Sequence, residues 1–95
     1  MVAVNFKSIE KEKIEHLKFP STEVLHDHAL ITSRDNDLKR ALSLGNLEHG
    51  KIKIYFEDEH HGHMVETTVW GVTDKRVILK QGVVIPIHRI HAIKL

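Results

Sequence analysis

Histidine is the residue whose number and crowding most invite chemistry here. Nine of the 95 residues are His. His60, His61 and His63 directly follow three carboxylates, Glu57, Asp58 and Glu59. Imidazole and carboxylate together suit zinc or nickel, so His61 and His63 with one of these acids are the candidate metal ligands. The plainer reading is a solvated polar loop, because a functional metal needs ligands held rigidly. On that reading no cofactor is expected. His88 and His91 lie three apart and His26 and His28 two apart. Each pair could ligate a metal or act as a pH switch, and the plainer reading is a surface or half-buried histidine with a backbone partner.

Other catalytic chemistry has little to build on. Ser33 and Ser43 lack the context of a nucleophile elbow. Glu57, Asp58 and Glu59 are consecutive, so their side chains need not converge. No Gly-rich phosphate loop is present, and a small fold leaves little room for an enclosed substrate pocket. The absence of Cys excludes disulfides, thiolate metal sites and cysteine nucleophiles, and it is compatible with a reducing cytoplasm. Residues 1–7 have no basic lead into a long apolar run, as a secretory signal would. No stretch approaches the length of a membrane span. The expectation is a cytoplasmic, non-enzymatic protein with no membrane partner and no small-molecule substrate.

A second constellation is basic. Lys51, Lys53, Lys75, Arg76, Lys80, Arg89 and Lys94, with Tyr55 and Trp70 nearby, would suit single-stranded nucleic acid. Rings would stack on bases and cations would meet phosphates. Against this, only 5% of residues are aromatic, and lysines on outward strand positions also guard edges against aggregation. Net charge is +1. Residues 1–49 carry seven Lys/Arg and eight Asp/Glu, and residues 50–95 carry seven and five. That asymmetry does not by itself imply nucleic acid. If Val69 points into the core, Trp70 points out and becomes a contact residue.

These residues must be held by elements the pattern predicts. Val2, Val4 and Phe6 alternate as a short strand within residues 1–7. Ser8 to Leu17 reads as a helix with a thin apolar stripe of Ile9, Ile14 and Leu17, stopped by Phe19-Pro20. Residues 21–31 are ambiguous between helix and linker. Asp35–Leu44 reads as a helix capped by Ser33, Asp35 or Asn36 and stopped by Gly45-Asn46. From Lys51 the period becomes two. Strands are expected at residues 51–57, Val65–Thr73, Arg76–Lys80, Val83–Ile87 and His91–Leu95. Thr73-Asp74-Lys75, Gln81-Gly82 and His88–Ile90 supply tight turns, and Pro86 marks an edge or strand end. Such strands bury their faces well by curling into a small barrel.

A helix before five short strands, with Ile85-Pro86-Ile87-His88-Arg89-Ile90 and Ile93 near the end, resembles the SH3-like barrels, and the Sm-like family in particular. The resemblance covers roughly residues 35–95. RNA-binding Sm proteins have an Arg-Gly pair where this chain has Pro86-Ile87, and an Asn in the turn where it has Thr73-Asp74-Lys75-Arg76. Their RNA-contacting residues therefore do not carry over. Residues 73–93, from Thr73-Asp74-Lys75-Arg76-Val77-Ile78-Leu79 through Gly82 to Ile90, are also similar to a strand signature of bacterial PH-like domains. Those domains need more strands and a closing C-terminal helix.

The expected architecture is α+β, one domain over residues 1–95. An N-terminal segment, 1–33, carries a helix at 8–17. Residues 34–95 form a helix and a five-stranded antiparallel SH3-like or Sm-like barrel. The expected core is Leu38, Leu42, Ile52, Ile54, Phe56, Val69, Val77, Leu79, Val83, Ile85, Ile90 and Ile93. The expected function is a binding module for a protein partner or for self-assembly, the alternative being single-stranded RNA. Its contact residues are Tyr55, Trp70, Lys75, Arg76, Lys80 and Arg89.

Overall fold

Apolar and polar residues alternate from Ile52 onward, and a strand presents successive side chains to opposite faces. The computed structural model, which describes residues 4–95, turns this pattern into two sheets. The first joins β1 (Phe6–Ser8), β2 (Ile52–Glu57), β3 (Gly62–Thr67) and β7 (Ile90–Lys94) in the order β1-β3-β2-β7. The second joins β4 (Val69–Val72), β5 (Arg76–Leu79) and β6 (Val84–Pro86) in sequence order. Ile52, Ile54 and Phe56 of β2 meet Val65, Val69, Val77, Leu79, Ile85, Ile90 and Ile93 in one buried cluster. Burial of each such side chain contributes roughly 1.5–3 kcal/mol. Of the expected core, Leu42 and Val83 are only half-buried at its margin, while Ile14, Ala41 and Val65 join it.

The expected five-stranded barrel behind N-terminal helices does not form. Among the described residues there are one α-helix and seven strands in two sheets, and neither sheet closes. The single strand expected at 65–73 is divided at Thr68, so β3 and β4 belong to different sheets. Thr68 bonds elsewhere: its hydroxyl donates to His49 O at 3.4 Å and its carbonyl accepts from Lys80 N at 3.0 Å. A one-turn 3-10 helix, Ile87–Arg89, likewise separates β6 from β7. The helix expected at 8–17 is also replaced. Phe6–Ser8 pairs parallel with Gly62–Met64, and Lys11–His16 is a 3-10 helix. One apolar side chain, Ile14, is enough to anchor that short helix, at 1% exposure. Of the strand expected at 1–7, residues 1–3 lie outside the described residues.

The α-helix α1 spans His28–Glu48, well beyond the expected Asp35–Leu44. Its cap is Asp27, whose carboxylate accepts from Ala29 N at 2.8 Å. Its buried residues, Arg34, Leu38, Ala41 and Gly45, recur at intervals of four, three and four, the spacing of one helical stripe. That stripe packs on β4 and β7, one edge strand of each sheet. The helix thus covers edges that a closed barrel would have paired. Gly45 was expected to stop the helix but lies inside it. A Cβ there would collide with the Val69 carbonyl oxygen, so its missing side chain serves close packing. The left-handed stop falls to His49, at φ 53°, whose N–H donates to Gly45 O at 3.2 Å.

Candidate docking face

Sheet β4-β5-β6 turns one face to the core and the other to solvent. On β5, Val77 and Leu79 are fully buried, so Arg76 and Ile78 point outward. Lys80 continues that outward row just past the strand. On β6, Ile85 is buried, and Val84 and Pro86 stand on the outer side. On β4 the ladder has an irregularity between Val69 and Gly71, where Val69 pairs with Leu79 and Gly71 with Ile78. Two residues, Trp70 and Gly71, therefore stand outward between the inward Val69 and Val72. The result is an apolar strip of Trp70, Ile78 and Val84, with Trp70 52% and Val84 42% exposed. Trp70, Ile78 and Val84 take no part in the core. Gly71 has no side chain to cover Ile78, which lies within contact distance of where its Cβ would be.

The face carries charge of one sign. Strands β4, β5 and β6 hold no acidic residue. From Thr67 to Leu95 there are five Lys/Arg and one acid, Asp74, whereas residues 1–66 have nine Lys/Arg and twelve acids. Arg76 and Lys80 flank Ile78, and neither forms an ion pair among the described residues. At its Pro86 end the face opens into a cleft of about 640 Å³ between the turn at Asp74-Lys75 and the start of α1. Arg76 and Pro86 line both the cleft and the face, and Lys75 lines the cleft. The structure thus brings Trp70, Arg76 and Lys80 together, with Lys75 beside them.

Two other expected contact residues lie elsewhere. Tyr55 is on the outer side of β2 in the first sheet, its ring edge-on to Phe6 with centroids 5.3 Å apart. Arg89 is 5% exposed and fully engaged. Its Nε donates to Glu57 O at 3.1 Å, one terminal nitrogen to Thr22 O and Oγ1 at 2.9 and 3.1 Å, and the other to Asp58 O at 3.1 Å. Arg89 therefore straps the segment before α1 to the end of β2. Beside it is a second cleft of about 630 Å³. His91 Nε2 there meets Glu57 Oε1 at 2.8 Å, but its Thr22 hydroxyl is already used by Arg89.

The histidine-rich turn is organised by a carboxylate. Asp58 Oδ1 accepts from the backbone N–H of His60 and His61 at 2.8 and 2.6 Å. His63 Nε2 lies 3.3 Å from Asp58 Oδ2, off the line of a good hydrogen bond. The His61 side chain is exposed while the His63 ring is turned inward against Phe56. The described residues contain no cluster of three His, Asp or Glu fit to hold a metal. Burial pushes the Asp58 carboxyl up, the largest single influence, but the His61 and His60 amides and the His63 ring together pull it below its ordinary value. A depressed folded-state pKa stabilises the fold above the unfolded value, 3.8, and that contribution is lost as pH falls through the lower one. Melting temperatures of the wild type and Asp58→Asn should therefore differ most above about pH 4 and converge in stronger acid. A gap that widens on acidification would contradict this assignment.

Sequence reasoning missed Ile78, Val84 and Pro86 as members of the face. The run from Lys75 to Leu95, which contains no Asp or Glu, was the available signal. It marks where an acidic partner would be tolerated. Comparison with family models, curated proteins and solved structures finds no match to this chain. No helix among the described residues is long and apolar enough to cross a membrane.

Proposed function

We propose that this chain is a small, non-enzymatic protein-binding module of the cytoplasm that docks a partner protein on the outer face of β4-β5-β6. The observation that carries this reading is the half-exposed Trp70 in an apolar strip with Ile78 and Val84. Tryptophan is strongly enriched among the few residues that dominate binding energy at interfaces. Flanking cations add orientation and association rate.

Two neighbouring readings are weaker. Single-stranded nucleic acid needs successive rings on which bases stack, each worth about 1–3 kcal/mol. This face has one ring, and Tyr55 belongs to the other sheet. Two copies meeting face to face would bring together two faces that each carry Arg76 and Lys80 and no acid on their strands, so like charges would approach without partners.

The test is retention of proteins from a nuclease-treated extract on the immobilised full chain, compared with Trp70→Ala. Trp70 is exposed, so the substitution should change stability by no more than about 0.5 kcal/mol. A defined set of proteins should be retained by the wild type and lost with Trp70→Ala. Equal retention on both would remove the face as the docking site.

A further inference from the structure

We propose that the partner presents an acidic amphipathic α-helix to this face; the proposal rests on reading the face as a docking surface. Three features of the sheet select this occupant.

The first is the state of the outer edge of β6, a strand against which the 3-10 helix Lys11–His16 also packs. In the β5–β6 ladder, Leu79 N donates to Val83 O and Ile87 N to Lys75 O. Antiparallel pairing alternates, so Val84 and Pro86 direct their backbone groups away from β5. Pro86 has no N–H. The outer edge of β6 therefore offers one N–H, that of Val84. A peptide added as a further strand would find almost nothing to accept its carbonyls.

The second is the chemistry of the face. An extended segment laid across Trp70, Ile78 and Val84 would press its own amides against apolar side chains, and an unpaired buried amide is costly. A helix satisfies those groups internally. It presents only side chains, as in groove recognition by amphipathic helices.

The third is charge and spacing. Arg76 and Lys80 stand two residues either side of Ile78, so they are about 13 Å apart at roughly 3.3 Å per residue. A helix rises about 1.5 Å per residue. Acidic residues about two turns apart, flanking an apolar stripe, would reach both cations while the stripe covers Trp70 and Ile78. A helix with basic flanks would meet like charge, since the three strands hold no acid to receive it.

Trp70 is the only tryptophan, so its emission reports directly on occupancy. The full chain is titrated with four probes. The first is a synthetic helix of about five turns with a leucine stripe and glutamate flanks. The second has lysine in place of glutamate, the third has the first peptide's leucines redistributed around the helix, and the fourth is a short oligouridine. The first should shift Trp70 emission to the blue, saturably and less so at high salt, and the other three should not. With a labelled acidic peptide followed by anisotropy, Trp70→Ala should weaken binding about 30-fold. Arg76→Glu with Lys80→Glu should weaken it by about tenfold or more with the circular dichroism unchanged. No response to the acidic helix, or an equal response to the lysine or redistributed peptide, overturns the proposal. So does a blue shift with oligouridine, which would assign the face to nucleic acid. Trp70-dependent retention of a partner that the acidic helix neither mimics nor displaces would leave the docking face standing and reject the helix.

Discussion

Arg89→Met is expected to destabilise the fold by about 3–5 kcal/mol, the range for breaking a buried, hydrogen-bonded charge site. Methionine fills a similar volume, so packing is not the main loss. What is lost is the guanidinium that the backbone carbonyls of Thr22, Glu57 and Asp58 all receive. The Asp58 carbonyl would be left buried without a donor, at a cost of about 1–3 kcal/mol, the partly buried Thr22 and Glu57 carbonyls lose theirs, and the Glu57 carboxylate, 3.6 Å from the guanidinium, loses its cation. For a domain of this length, 1 kcal/mol moves the melting temperature by roughly 4–8 °C, so a fall of about 15–30 °C should appear in a thermal melt. Arg89→Lys should fall between the two proteins, because an ammonium cannot span three separated acceptors at once. A variant Arg89→Met that melts within a few degrees of wild type would show that the strap contributes little. Arg34 forms a parallel arrangement, with two hydrogen bonds to the Glu23 carboxylate at 2.8 and 2.7 Å and one to Ile90 O at 3.0 Å. The coil before α1 is therefore held at two points by buried guanidinium groups.

Gly45→Ala should destabilise the protein although alanine is the better helix former. Propensity alone favours alanine by about 1 kcal/mol. The added methyl group, however, would overlap the Val69 carbonyl oxygen, with Val69 C at 3.2 Å and the Thr68 side chain at 3.3 Å also close. The obstacle is backbone at the edge of β4, which yields only if α1 or the strand shifts. Overpacking of that kind costs typically 1–3 kcal/mol and sometimes more. We expect a net loss of up to about 2 kcal/mol in urea unfolding, with Gly45→Val still worse. A stabilised Gly45→Ala would mean that the helix rides further from the sheet than described. Gly50 makes a useful control. The nearest atoms to a Cβ there are all in the Leu44 side chain, Cγ at 2.8 Å, rather than backbone, so Gly50→Ala should be milder.

Both residues show how a local inference is overturned by contacts distant in sequence: Gly45 lies inside the helix and Arg89 is buried. A glycine near the end of an apolar-periodic run reads as a helix stop, because that is where left-handed backbone is commonly needed. Nothing local distinguishes that glycine from one required for close approach to a strand distant in sequence. Arg89 reads as a surface cation because arginine is seldom buried without partners, and its partners, Thr22, Glu57 and Asp58, lie at least 31 positions away. The outer face of β4-β5-β6 divides in the same way. Trp70 was legible as an outward residue from alternation once Val69 is placed inward, and Arg76 as one of the basic residues. Ile78 and Val84 were not, since an isoleucine between Val77 and Leu79 looks like core until the ladder assigns it a side.

The period-two pattern from Ile52 onward, the turn residues at Gln81-Gly82 and the set of inward apolar side chains were written locally. Side-chain alternation and left-handed backbone preferences act over a few residues and need no knowledge of the rest of the chain. Of the twelve expected core residues, only Leu42 and Val83 fell short of full burial. Closure is a different kind of property. Whether seven short strands form one barrel or two sheets depends on whether Thr68 stays in a ladder and on what covers the edges of β4 and β7. These are competitions between pairings far apart in sequence. Both edges are covered by α1, which extends to 21 residues and packs its stripe of Arg34, Leu38, Ala41 and Gly45 against them. With those edges covered by a helix, the outer face of β4-β5-β6 is left free, and the one exposed tryptophan lies on it.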